Sequence, residues 1–146
     1  MSIGFFNVPT PKNEPILGYA PNSKERVSLK AKLAEMKSQV IEVPMFIGSE
    51  ELKEGKKLPL TSPHDHQHVL GYYYEGDASH VNKAIDSSLA AREKWANMSW
   101  EHRVSIFLKA ADLSASKYRM ELNAATMLGQ SKNAFQAEID SACEWI

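Results

Sequence analysis

Cysteine is nearly missing from this chain: Cys143 stands alone among 146 residues. One thiol excludes an internal disulfide and a cysteine-built zinc site, and it fits a reducing, cytoplasmic compartment without demanding one. Charge of either sign is not in excess. Lys and Arg number 17 against 18 Asp and Glu, a net charge of -1. That balance argues against a nucleic-acid partner and against a basic membrane-binding patch. No apolar run comes near the length that spans a bilayer. The opening Met-Ser-Ile-Gly-Phe-Phe-Asn-Val-Pro has neither the basic start and long apolar stretch of a secretory signal nor the arginines of a transit peptide. Internal repeats and low-complexity tracts are also absent. What remains is ordinary globular composition, enough for one domain, or one domain with an arm, to bury a core without staples.

Prolines mark the first segment. Pro9, Pro11, Pro15 and Pro21 favour an extended arm over residues 1–22. Phe5, Phe6, Ile16, Leu17 and Tyr19 are too apolar for a free tail, so the arm should lie on something. Residues 23–146 then read as a helical segment interrupted by a β-ribbon at about 41–75. Asn22 or Ser23 caps a first helix, with Leu29, Leu33, Met36 and Val40 in one stripe. Val43–Ile47, Leu58–Thr61 and Val69–Tyr74 read as strands of a small antiparallel ribbon, with Gly48 and the charged stretch to Lys57 as a turn. Pro44 and Pro59 confine their strands to an edge or a strand start. Such a ribbon is too small to stand alone and must dock on helices or a partner.

Four helices are expected after the ribbon. Asp77 or Ser79 caps one carrying Val81, Ala84, Ile85 and Trp95. Ser99 caps the next, with Val104, Phe107, Leu108 and Ala111 in a stripe. Ser116 caps a third, which Gly129 closes. Ser131 opens a fourth, with Phe135, Ile139, Ala142, Cys143 and Ile146 on one face. That face reaches Ile146 without a capping glycine or a basic last turn, so the chain is expected to be the front piece of a longer protein.

Few residues carry chemistry of their own. His64, His66 and His68 alternate, a spacing that can hold a metal on one strand face, but a polar turn after Pro63 is the better reading. Cys143 sits beside Ala142 on an apolar helix face, where a thiol is inert filler. Gly129-Gln130-Ser131-Lys132 lacks the earlier glycine and the Gly-Lys-Ser/Thr order of a phosphate loop. Tyr72, Tyr73, Tyr74, Trp95, Trp100 and Trp145 could stack on a ligand, though aromatics at such spacing are more often core or interface. Glu144 falls almost opposite the apolar stripe of the last helix, while Glu138 flanks it. An exposed carboxylate is the ordinary state of such a residue. From the residues alone the chain is a mainly helical domain with a small β-ribbon and no catalytic constellation.

Several stretches together resemble one known family. They are Asn13-Glu14-Pro15, Ser62-Pro63 with His66 and His68, Asn82-Lys83-Ala84-Ile85, Ala90-Ala91-Arg92-Glu93-Lys94-Trp95 and Ile106-Phe107-Leu108-Lys109-Ala110-Ala111-Asp112. The most specific is Thr126-Met127-Leu128-Gly129-Gln130-Ser131-Lys132 leading to Gln136-Ala137-Glu138-Ile139-Asp140. Their order and spacing resemble the amino-terminal part of the 1-pyrroline-5-carboxylate dehydrogenases, a family of the aldehyde dehydrogenase superfamily. The resemblance implies an α/β superfamily fold of which this segment is the mainly α-helical part. It implies an enzyme that oxidises glutamate semialdehyde, which equilibrates with cyclic 1-pyrroline-5-carboxylate, to glutamate with NAD. In that family the nucleophilic cysteine, the water-activating glutamate and the nucleotide-binding fold lie further along the chain. NAD is therefore expected in the full-length enzyme and not in this segment. Cys143, in Ser-Ala-Cys-Glu-Trp, does not match the family nucleophile. Glu144 matches the helix glutamate of the aldehyde-binding pocket and becomes the one candidate substrate-binding residue.

Three readings stand on this basis. The first is the front of an NAD-dependent aldehyde dehydrogenase of proline breakdown, inactive as this chain alone and prone to self-association through uncovered apolar faces. The second is a stand-alone helical interaction or assembly module. The third is an aldehyde dehydrogenase of other specificity.

Overall fold

Ser23 starts the first helix by accepting a hydrogen bond from the Arg26 amide at 3.3 Å, and α1 runs Lys24–Lys37. This is a computed structural model, and it describes residues 7, 10 and 12–144. Phe5, Phe6, Trp145 and Ile146, all invoked above, lie outside the described residues. Leu29 is buried in α1, and Leu33 and Met36 are partly covered. Val40 does not continue the stripe. The helix ends at Ser38, whose hydroxyl caps the Glu35 carbonyl, and Val40 lies exposed beyond it.

The ribbon is more elaborate than a hairpin. Pro44 splits the expected Val43–Ile47 strand into β1 (Ile41–Val43) and β2 (Met45–Ile47), and the two join different sheets. The charged stretch is not only a turn: Glu50–Leu52 forms β3, antiparallel to β2. β4 (Lys56–Ser62) and β5 (Asp65–Glu75) pair antiparallel, and β1 pairs parallel with β5. The larger sheet, ordered β1-β5-β4, is therefore mixed and not purely antiparallel. Pro59 lies on its edge strand, where a missing amide costs no ladder bond. Gly71 is needed where β1 crosses, because a Cβ there would lie 2.5 Å from the Ile41 carbonyl oxygen.

Asp77 and His80 make a reciprocal cap at the start of α2 (Ala78–Asn97). Ser99 caps α3 (Trp100–Ala115) as expected. Ser116 caps no helix start. Its hydroxyl closes α3 by binding the Asp112 carbonyl, and α4 (Arg119–Gln130) begins without a side-chain cap. Gly129 stays inside α4, and Ser131 takes the left-handed position after it with φ 57°. The last helix is opened by Asn133, not Ser131, through a reciprocal pair with Gln136. It runs as α5 (Ala134–Ala137) and then widens into a π-helical segment, Glu138–Cys143.

The inward face of this helix is not the one centred on Phe135: Ala134, Ala137, Glu138 and Ser141 form it. Phe135 is exposed, and Ala137 and Glu138 take the buried positions. The core forms where α1, α4 and the arm meet: Tyr19, Leu29 and Ala124, flanked by Leu17, Leu33, Met36, Met120, Met127 and Ala134. The arm does lie on the helices as expected, but through Leu17 and Tyr19; Ile16 points outward. The β2–β3 hairpin docks on α2, where Lys83 pairs with Glu50 at 2.7 Å. Ser62 ties β4 to α4 through the Leu128 carbonyl at 3.1 Å. Among the described residues no helix is long and apolar enough to cross a membrane.

Candidate functional site

The densest polar chemistry lies inside the core. Glu138 is 0% exposed, and its carboxylate gathers donors from two separate parts of the chain, the arm and α4. Oε1 accepts from the Leu17 amide at 2.8 Å and from the Arg119 guanidinium. Oε2 accepts from the Tyr19 hydroxyl at 2.6 Å and from Asn123 Nδ2 at 2.7 Å. Arg119 also donates to the Pro15 carbonyl at 2.6 Å. Each donor answers the requirement that a buried charge be paired and its lone pairs occupied. Tyr19 holds φ 49°, uncommon for an aromatic residue. Its ring and hydroxyl are fixed by the core and by Glu138, which overdetermines that backbone.

These partners set the ionisation. Burial pushes the Glu138 carboxyl upward, but the Arg119 guanidinium, the Tyr19 hydroxyl, the Leu17 amide and Asn123 outweigh it and hold it below the ordinary glutamate range. Burial and the adjacent Glu138 carboxylate drive the Tyr19 phenol well above its usual value. The cluster is thus a carboxylate and a guanidinium bridged by neutral donors.

Wheel geometry placed Glu138 at the flank of the stripe and missed this cluster. A pointer existed in the sequence: Arg119 and Asn123 occupy successive turns of one face of α4, beside Ala124 and Leu128 in its apolar stripe. A cation there needs a buried anion nearby.

Glu144 lies exposed just past the π-helical segment, and its amide reaches back to the Ile139 carbonyl at 2.9 Å. Cys143 is partly covered, and burial together with the Glu138 charge raises its thiol above the usual range. Such a thiol is a poor nucleophile.

The polar-turn reading of the three histidines holds for one of them. His66 and His68 belong to β5, and only His64 occupies the turn. There its Nδ1 lies 2.9 Å from Ser131 Oγ. Lys132 pairs with Asp140 instead of facing a phosphate. Tyr72 and Tyr74 stack under the Lys57 ammonium. Trp95 meets Phe107 edge-on at 6.5 Å, far along the chain from the tyrosines and their lysine. A hollow of about 410 Å³ lined by Leu33, Lys37, His64, Met127 and Ser131 holds neither Glu138 nor Glu144.

The amino acids from 50 to 146 match the family described as the aldehyde dehydrogenase family, and the chain belongs to it. Within that family it is 49% identical over 140 residues to the delta-1-pyrroline-5-carboxylate dehydrogenase of Agaricus bisporus, covering 95% of this chain and 26% of that protein. It is 40% identical over 134 residues to the mitochondrial enzyme of that name from Homo sapiens, covering 92% of this chain and 24% of the other. The Mycobacterium tuberculosis delta-pyrroline-5-carboxylate dehydrogenase bound with NAD superposes with a TM-score of 0.93 at 38% identity, over 98% of this chain and 27% of that one. The chain thus spans about a quarter of the length of the relatives it matches.

Proposed function

We propose that this chain is the amino-terminal segment of an NAD-dependent dehydrogenase that converts glutamate semialdehyde, in equilibrium with 1-pyrroline-5-carboxylate, to glutamate in proline breakdown. The observation that carries the reading is the 49% identity over nearly the whole chain to a relative of that name. The NAD in the superposing structure supports NAD as the cofactor of the complete enzyme. The residues of this segment do not fit a dinucleotide themselves. No Gly-x-Gly pair occurs among its seven glycines, and the turn that cradles a pyrophosphate needs one. The segment's part in the reaction is therefore structural, with one exception.

Glu144 is that exception. An exposed carboxylate at the end of the last helix can pair with the amine or imine nitrogen of the substrate by a charge-assisted hydrogen bond. Such a contact orients the substrate and distinguishes it from aldehydes without nitrogen. Cys143 takes no covalent role, since its thiol is held protonated. The isolated chain is expected to be inactive and to self-associate through the apolar faces of α2 and α3. A cytoplasmic site of action belongs to the proposal and rests on cysteine usage alone. The human relative carries "mitochondrial" in its name, and fractionation with immunoblotting separates the two compartments.

Steady-state kinetics of the complete gene product with 1-pyrroline-5-carboxylate and NAD test the reading. Turnover should be NAD-dependent and yield glutamate; no turnover with this substrate alongside brisk turnover of other aldehydes would overturn it. Glu144→Ala should raise KM for the pyrroline substrate by roughly tenfold to a hundredfold, as loss of one shielded charge-assisted contact requires. Aldehydes lacking the nitrogen should be affected far less.

A further inference from the structure

Glu138 is the first residue of the π-helical segment and Ser141 lies within it. Both are gripped from α4 by a single side chain. Asn123 gives its Nδ2 to Glu138 and receives the Ser141 hydroxyl on its Oδ1. Ser141 also bonds the Ala137 carbonyl one turn back. The segment closes at Glu144 through the Ile139 carbonyl. A π turn holds one residue more than an α turn. At 3.6 residues per turn that extra residue is worth about 100° of rotation. Glu144 therefore points about 100° away from where a straight continuation of α5 would aim it.

Nothing in Glu-Ile-Asp-Ser-Ala-Cys forces such a turn: it holds no proline and no glycine. π turns are rare because they do not sustain themselves. Here the partners outside the helix supply what the backbone does not. The carboxylate that starts the turn is drawn inward by Arg119 and Asn123, and by the arm through Leu17 and Tyr19. We infer that Glu138 and Asn123 are positioning residues: they hold the wide turn that aims Glu144 at the substrate nitrogen, and through Leu17 and Tyr19 they make the amino-terminal arm part of that aim. The inference rests on the reading of Glu144 as the substrate-facing carboxylate.

A double-mutant cycle in the complete gene product tests it. Glu138→Gln keeps size and loses charge. It should raise KM for 1-pyrroline-5-carboxylate about tenfold with kcat little changed, the loss expected when one charge-assisted contact is misaimed. KM for a simple aliphatic aldehyde should stay close to wild type. In a Glu144→Ala background, Glu138→Gln should add almost nothing, because its effect passes through Glu144. Losses that multiply in the double variant, or that fall equally on both aldehydes, would overturn the inference and leave Glu138 a stability residue. If Glu144→Ala itself leaves KM unchanged, the substrate reading of Glu144 has failed. If Glu144→Ala raises KM and a folded Glu138→Gln does not, the positioning role alone has failed. Should Glu138→Gln not fold, Ser141→Ala carries the same cycle, since it frees the turn from Asn123 and leaves the carboxylate's donors in place. Ser141→Thr, which keeps the hydroxyl, should restore the wild-type KM; a Ser141→Ala variant with wild-type KM would count against the role.

Discussion

Leu29 on α1 is 3% exposed and Phe107 on α3 is 67% exposed, although both belong to apolar stripes of helical period. The difference runs through the molecule. Around α1, α4 and the arm, apolar side chains meet one another, and even a carboxylate is closed over. Along α2 and α3, Val81, Ile85, Leu89, Ile106, Phe107 and Leu108 face outward, and no residue of α2 is buried. A stripe's period therefore says that a face is to be covered and leaves open by what. In a chain spanning about a quarter of the length of its relatives, one part completes its own core, while the other presents an open apolar face.

The contrast can be broken most sharply at the buried pair. Arg119→Ala leaves Glu138 closed in the core without its cation and should cost about 3–5 kcal/mol, read from the urea midpoint of this chain. A loss no larger than that of an exposed substitution would mean the cluster is open to water. Next comes truncation within each half. Leu29→Ala should cost about 2–5 kcal/mol, whereas Phe107→Ala in this chain should stay within about 0.5 kcal/mol. In the complete protein the same Phe107→Ala should become severe, and equal effects in the two proteins would show that nothing covers α3.

Acid probes the buried carboxylate of the first half. The Glu138 carboxyl is held below its ordinary value, so its contribution is fully present above the unfolded glutamate pKa of about 4.3 and is lost as pH falls through the lower native value. The melting temperature should drop on acidification across that window, and Glu138→Gln should flatten the drop. An unchanged slope in the variant would assign the acid loss to other carboxylates. The smallest effect on stability belongs to the second half: Phe107→Ser should leave the melting temperature nearly unchanged while reducing self-association in sedimentation. Association undiminished by this change would place the sticky surface elsewhere, for instance at Phe46 on β2.

Local chemistry made the helices legible. Ser23, Asp77 and Ser99 cap where side-chain oxygens precede apolar periods, and those caps form. The misplaced boundaries have a common cause, competition between two adequate candidates. Ser131 and Asn133 both suit a helix start, and the reciprocal bond available from Gln136 favours Asn133. Ser116 lost its start because its hydroxyl is bonded backward to Asp112. Long-range pairing was less legible. Nothing local in Ile-Glu-Val announces a parallel partner 30 residues on; Gly71 becomes readable as a crossing point only once β1 lies over it. The candidate site was legible in part. The family resemblance singled out Glu144, but Glu138 was hidden because a carboxylate beside an apolar stripe ordinarily faces water, and the donors that bury it stand 15 to 121 residues away in the chain.

The long reach of the buried carboxylate also sets an order of events during synthesis. Tyr19 and Glu138 are 119 residues apart in the chain. At roughly 5–20 residues per second, a ribosome needs on the order of 6–24 s to travel that distance. Throughout that interval the Leu17 amide and the Tyr19 hydroxyl have no carboxylate to meet, while α1 and the ribbon can already form from neighbours in sequence. The arm is among the first parts made and among the last to be fastened. A nascent chain halted before Glu138 should lose its arm to protease, and one extended past Ser141 and clear of the exit tunnel should keep it.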